Sequence, residues 1–172
     1  MAALIKTSYP ATSSVALTIT LASLASDGSL LAGRASTAVD NTTNVDLDHL
    51  FSGIITTGTT PTVNTTIEVW AYASYKTVTG TPTYPDSITG TDAAKTMTSS
   101  SVKYSALARI ATINVTATSN VAYPIAPVSI ASLFGSMPKF WGVFVVQSTA
   151  VALNATGGNH DLQYERIQGQ TV

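Results

Sequence analysis

The side chains able to do chemistry are few in this 172-residue chain: two histidines, nine carboxylates and no cysteine. One histidine lies in Asn154-Ala155-Thr156-Gly157-Gly158-Asn159-His160-Asp161. Imidazole beside carboxylate is the pairing of a general base or a metal ligand. The same stretch is also turn material. Asn and Gly supply left-handed backbone, and Asn159 and Asp161 can bond local amides. A turn accounts for every residue but the imidazole, and a lone histidine on a polar loop needs no further role, so a hairpin turn is expected. The second histidine follows Asp46-Leu47-Asp48. On a strand, Asp46 and Asp48 share a face roughly 7 Å apart. With Asp40 as a third donor they could hold Ca²⁺, which takes several oxygen ligands. An EF-hand spacing is absent, and a solvated strand entry explains the same residues without a metal.

Hydrolytic chemistry finds no frame. There is no G-x-S-x-G elbow and no S-x-x-K. Opposed carboxylates for glycoside hydrolysis would have to come from Glu68, Glu165 and loop aspartates, and nothing places them face to face. No glycine loop is built to cradle phosphate. The expectation is a non-enzyme with no catalytic residue, no metal and no cofactor. Trp70 and Tyr72 are the more promising pair. They alternate with Ile67, Val69 and Ala71 and share a face with Glu68 and Lys76. Exposed there, they would stack on a sugar or anchor a protein interface. A central strand with both faces buried is the competing reading.

Charged residues make up 10% of the chain, against about 25% in ordinary domains, and the net charge is −1. The eight basic residues are scattered singly. That excludes a phosphate-neutralising surface, and with it nucleic acid as a partner. No apolar run approaches the ~20 residues that cross a bilayer, so no membrane partner is expected. Thr-rich, charge-poor sequence favours strands over helices.

The elements follow from period two. Val15–Leu24 alternates strictly, which reads as a strand rather than the continuous apolar block of a signal peptide. Without a signal, the four Asn-x-Ser/Thr sequons at Asn41, Asn64, Asn114 and Asn154 read as unmodified. Further strands are expected at Leu30–Val39, Asp46–Thr57, Thr66–Thr77, Lys103–Thr116, Val121–Val128, Phe140–Ser148 and Leu162–Ile167. Pro124 and Pro127 confine Val121–Val128 to an edge strand or a loop. Phe140–Ser148 is apolar on both faces and suits a central position. Ser129–Phe134 reads as one helical turn closed by Gly135. Val78–Ser101 has no sustained period and reads as a long loop carrying Tyr84. With about eight strands and no βαβ alternation, the fold class is all-β: an antiparallel, jelly-roll-like sandwich over residues 13–172, preceded by an extended arm, residues 1–12. Leu4, Ile5 and Tyr9 of that arm, with Trp70, Tyr72 and Tyr84, are the candidate interface residues.

The segments SYPATSSVALTITLASLAS, LLAGRASTAVDNTTN and FGSMPKFWGVFVVQSTAVALNATGGNHDLQYERI, with Gly33-Arg34, Asp40-Asn41 and the turn Ala152–Gly157 as their most specific pieces, resemble small virion proteins of tailed bacteriophages. The resemblance covers most of the chain and brings no catalytic motif. It implies a structural role in the virion, assembled in the host cytoplasm. That role would be a capsid decoration protein, a homo-oligomer contacting the major capsid protein or other virion proteins. The alternative is a carbohydrate- or receptor-binding module of the tail or its fibres.

Overall fold

The computed structural model describes residues 5–78 and 80–171, and the side chains of residues 6–76 and 80–170. In chain order the strands are β1 (Ile5–Ser8), β2 (Ser14–Ala16), β3 (Ala32–Ala35), β4 (Val39–Asp40), β5 (Asp48–Thr56), β6 (Thr65–Ala73), β7 (Lys76–Val78), β8 (Thr81–Thr83), β9 (Ala93–Thr96), β10 (Ala108–Val115), β11 (Ala122–Ser129), β12 (Phe140–Gln147) and β13 (Asp161–Thr171). Helix α1 (Ser100–Ala106) precedes β10, and α2 (Ile130–Phe134) links β11 to β12.

The strands form two antiparallel sheets. One runs β1/β2–β13–β5–β11 and the other β10–β6–β12–β3/β4–β9, with β7–β8 as a separate hairpin. Among the eight principal strands the partners nest. β2 pairs β13, β3 pairs β12, β5 pairs β11 and β6 pairs β10, so the first strand meets the last and the fourth meets the fifth. A long hairpin rolled over on itself has this connectivity, which is that of a jelly roll. The all-β antiparallel sandwich is therefore the fold.

Two apolar layers hold it together. Phe51, Ile55, Ile67, Val69, Trp141, Val143, Val145, Leu162 and Tyr164 fill the space between the sheets. Trp70, Tyr72, Phe144 and Val146 project from the opposite face of β6 and β12. Ile88, Met97 and Leu107 from the following chain cover them. The stretch expected as a bare loop contains β9 and, together with α1 after it, folds back as a lid over the second sheet. Arg34 and Thr20 anchor the lid by bonding the carboxylate of Asp92. Asp86 bonds the amide and hydroxyl of Thr98 and so closes it.

Several expectations are corrected. Trp70 and Tyr72 are buried and offer no free aromatic face, while Tyr84 is half-buried with its ring edge-on to Tyr72. The cause is the position of β6 between β10 and β12, with the lid on its outer side. The expected strand at Lys103–Thr116 begins only at Ala108, because Ser99 caps a helix through its hydroxyl, which accepts from the Val102 amide. Val15–Leu24 is a strand only to Ala16. Its alternation still reports burial, with Leu17 and Leu21 in the core. This segment crosses between the sheets: the Leu17 amide bonds Leu162 in the first, while the Thr18 carbonyl accepts from Thr37 beside the second. Leu30–Val39 divides into β3 and β4 around Ser36.

The arm is also revised. Ile5–Ser8 is not outside the sandwich but an edge strand on β13, in register from Ile5↔Thr171 to Ser8↔Gln168. β13 runs past the end predicted at Ile167 and supplies the backbone partners that the arm was expected to lack. Leu4 and the side chain of Ile5 lie outside the described residues. Tyr9 is 59% exposed.

Candidate functional site

The constellation that most resembles a catalytic one is buried at the start of β5. Val45 stands in left-handed backbone at φ 51°, which turns the chain so that Asp46 points inward. The side chain of Asn41 holds that turn by accepting from the Asp46 amide and donating to its carbonyl. The carboxylate of Asp46 then accepts from four donors: Nε2 of His49 at 2.9 Å, Nε and Nη2 of Arg166 at 2.8 and 3.1 Å, and Nε2 of Gln168 at 2.7 Å.

The tautomer of His49 follows from its neighbours. Trp141 Nε1–H, which can only donate, reaches His49 Nδ1 at 2.8 Å. Nδ1 is therefore the acceptor, and Nε2 carries the proton toward Asp46. Asp and His are correctly coupled for general-base work, yet the nitrogen that would take a proton is closed by an indole. His49 is 1% exposed and stacks among Trp141 and Tyr164. Burial is the largest influence on its pKa and holds it below 6.5, although Asp46 pulls the other way. For Asp46, burial raises the pKa, and the hydrogen bonds from Arg166, His49 and Gln168 with the charge of Arg166 outweigh it. The result is about 2. The arrangement is a structural clamp tying β5, β12 and β13 together at one end of the sandwich.

A second buried polar cluster sits under the lid. Lys103 of α1 sends its ammonium to Glu68 at 2.8 Å and to the Leu30 carbonyl at 2.7 Å. Glu68 also accepts from Trp70 Nε1–H at 3.0 Å. The ammonium lies 5.1 Å from the ring centre of Trp70 and 5.3 Å from that of Tyr104, within cation–π range. The polar side of β6 seen in the sequence is therefore real, but it faces a buried cation rather than solvent.

The remaining candidates have local roles. His160 donates from Nε2 to the Asn154 carbonyl at 2.9 Å and accepts from the Thr56 amide at Nδ1. It fastens the turn before β13 to β5, as the turn reading requires. Asp46 and Asp48 do not converge. Asp48 accepts from the Ala131 amide at the start of α2, while Asp46 is surrounded by donors that a cation would have to displace. No group of three metal-ligating side chains occurs among the described residues.

Arg166, Gln168, Trp141 and Lys103 were missed by reading the sequence. One signal pointed to the first two. Leu162 and Tyr164 face inward, so period two carries Arg166 and Gln168 to the same face. A cation in that register demands a buried counter-charge.

On the surface, an open groove of about 640 Å³ lies at the root of the β7–β8 hairpin, lined by Tyr75, Lys76, Phe134 and Lys139. Tyr75 is 70% exposed. No protein-family model matches the chain, and no curated protein or solved structure shows significant similarity to it.

Proposed function

We propose that this chain is a non-enzymatic structural component of a tailed-phage virion, a capsid decoration protein that stabilises the particle through protein–protein contacts. The observation that supports this best is how the reactive side chains are used. Asp46, His49, Glu68, Lys103 and Arg166 are all engaged in internal clamps, leaving a neutral, Thr-rich exterior. Such a surface packs at high local density with little charge repulsion. Jelly rolls serve in capsids as well as lectins, a fold-level analogy that agrees with the sequence resemblance. Quantitative mass spectrometry of purified particles from cells carrying the gene tests the reading. Hundreds of copies per particle are expected, and absence from the particle rejects it.

The groove at Tyr75 favours a second reading, a glycan-binding module of the tail. It combines an exposed aromatic with two flanking lysines, a combination suited to an acidic sugar. Glycan-array binding that disappears in Tyr75→Ala would select this reading, whereas unchanged binding would remove its support.

A further inference from the structure

The end of β13 leaves one strand edge unpaired among the described residues. Along β13 the backbone groups of even-numbered residues face β1 and β2: the Leu162 carbonyl accepts from Leu17, and the Arg166 amide donates to Ser13. Those of odd-numbered residues face β5, where the last partner is Leu47, whose amide donates to the Ile167 carbonyl. Beyond it β5 has ended, while β13 continues through Gly169 to Thr171 with only β1 beside it. Gly169 is exposed, and its amide and carbonyl, turned away from β1, meet no partner among the described residues. Two-stranded ribbons are marginal alone, and an exposed edge is a template for another strand.

Three other edges are protected, and the outer edge strand β1 carries Lys6. β11 carries Pro124 and Pro127, β10 has a bulge at Ile110, and β9 is four residues long with Lys95 on it. At the ribbon root the protection is missing. Leu47 is 50% exposed and Val45 70% exposed. Val45 is also a β-branched residue at φ 51°, a conformation it adopts at a cost. Lys6 is the one charged side chain of the ribbon, so a like surface meets little repulsion.

We infer that this edge binds a second copy of the chain, β13 to β13, in a two-fold antiparallel pair. The register follows from the occupied neighbour. A two-fold axis at Gly169 would set Thr171 of the second copy against Ile167, where Leu47 already sits. An axis at Gln170 avoids this. It pairs Gly169 of each copy with Thr171 of the other through their outward-facing backbone groups and sets the two Gln170 residues directly opposite. The result is a four-stranded ribbon flanked by Val45 and Leu47 of both copies. A second copy fits this edge because an antiparallel edge is its own complement under two-fold symmetry and the ribbon's near-lack of charge lets like meet like. This inference stands apart from the virion reading: a dimer could form whatever the particle contains.

The test uses the full chain. Sedimentation over a concentration series should show a monomer–dimer equilibrium. Gly169→Pro removes the outward amide without touching a bond to β1, and should weaken dimerisation about tenfold or more. Val45→Asn, which suits left-handed backbone, should also weaken it while leaving the monomer's melting temperature equal or higher. Because the chain lacks cysteine, Gln170→Cys should oxidise rapidly to a covalent dimer, and Thr118→Cys, on a distant exposed loop, should not. A wild type that stays monomeric at its highest soluble concentration overturns the inference. So does equal cross-linking of the two cysteine variants.

Discussion

Trp141 Nε1–H points at His49 Nδ1 from 2.8 Å, and the opposite nitrogen of the same ring faces the Asp46 carboxylate at 2.9 Å. A protonated ring would set an N–H against an N–H in a dry core. The fold therefore requires a neutral imidazole, and its stability must depend on acid.

His49 has a folded-state pKa below 6.5, so its contribution is present above about 6.5 and is lost as pH falls through the lowered value. Asp46 falls from 3.8 to about 2, so its contribution is present above 3.8 and is lost as pH falls through about 2. Both act in the same sense, and the imidazole acts first. Denaturant unfolding measured from pH 7.5 down to about pH 4 should show a steady loss for the wild type. His49→Leu should start lower by about 1–3 kcal/mol, since Trp141 and Asp46 each lose a partner, and show a flatter slope. Equal slopes would mean that His49 does not titrate in folding.

Breaking the pair under the lid should be expensive from either side. Lys103→Met strands the Glu68 carboxylate, and Glu68→Leu strands the ammonium; each should cost about 3–5 kcal/mol. The double variant Glu68→Leu/Lys103→Met should be less damaged than the sum by about 1–3 kcal/mol. Unfolding free energies of the four proteins give the coupling directly, and additivity would show that the pair is not coupled.

Gly142 of β12 lies against Tyr72. A Cβ there would run into the phenol of Tyr72 and the hydroxyl of Ser36. Tyr72 cannot retreat, because it is fully buried and its hydroxyl donates to the Ser36 carbonyl at 2.7 Å. Gly142→Ala should lower stability by about 1–3 kcal/mol. Gly28→Ala meets no neighbour within 4 Å and serves as the control.

Asp27 gathers the amides of Ser29, Leu31 and Ala32 on one carboxylate before β3. The bond from Ala32 is foremost in holding its pKa far below the usual carboxylate range. Asp27→Ala should cost about 1–3 kcal/mol by leaving these amides to water or to nothing. Asp27→Asn, which keeps an acceptor, should recover part of it in thermal melts.

Local pattern determined the strand content, because period two depends only on which side chains seek the core. It located β5, β6, β12 and the edge strand β11 with its prolines, the helical turn closed by Gly135, and the turn at His160. It also marked Leu17 and Leu21 as buried, although the strand itself ends at Ala16. Tertiary structure decided the rest. Trp70 and Tyr72 look exposed on a half-polar strand until residues 84–107 fold over them, and no local pattern reports a lid whose contacts come from Met97 and Leu107. Asp46 reads as a solvated aspartate because the donors that bury it, Arg166 and Gln168, lie at the far end of the chain. The fate of Ile5–Ser8 turned on how far β13 extends beyond Ile167, and so on a pairing between the two ends of the sequence. Side-chain burial is written residue by residue, but partners that meet across the whole chain exist only once the hairpin has rolled up.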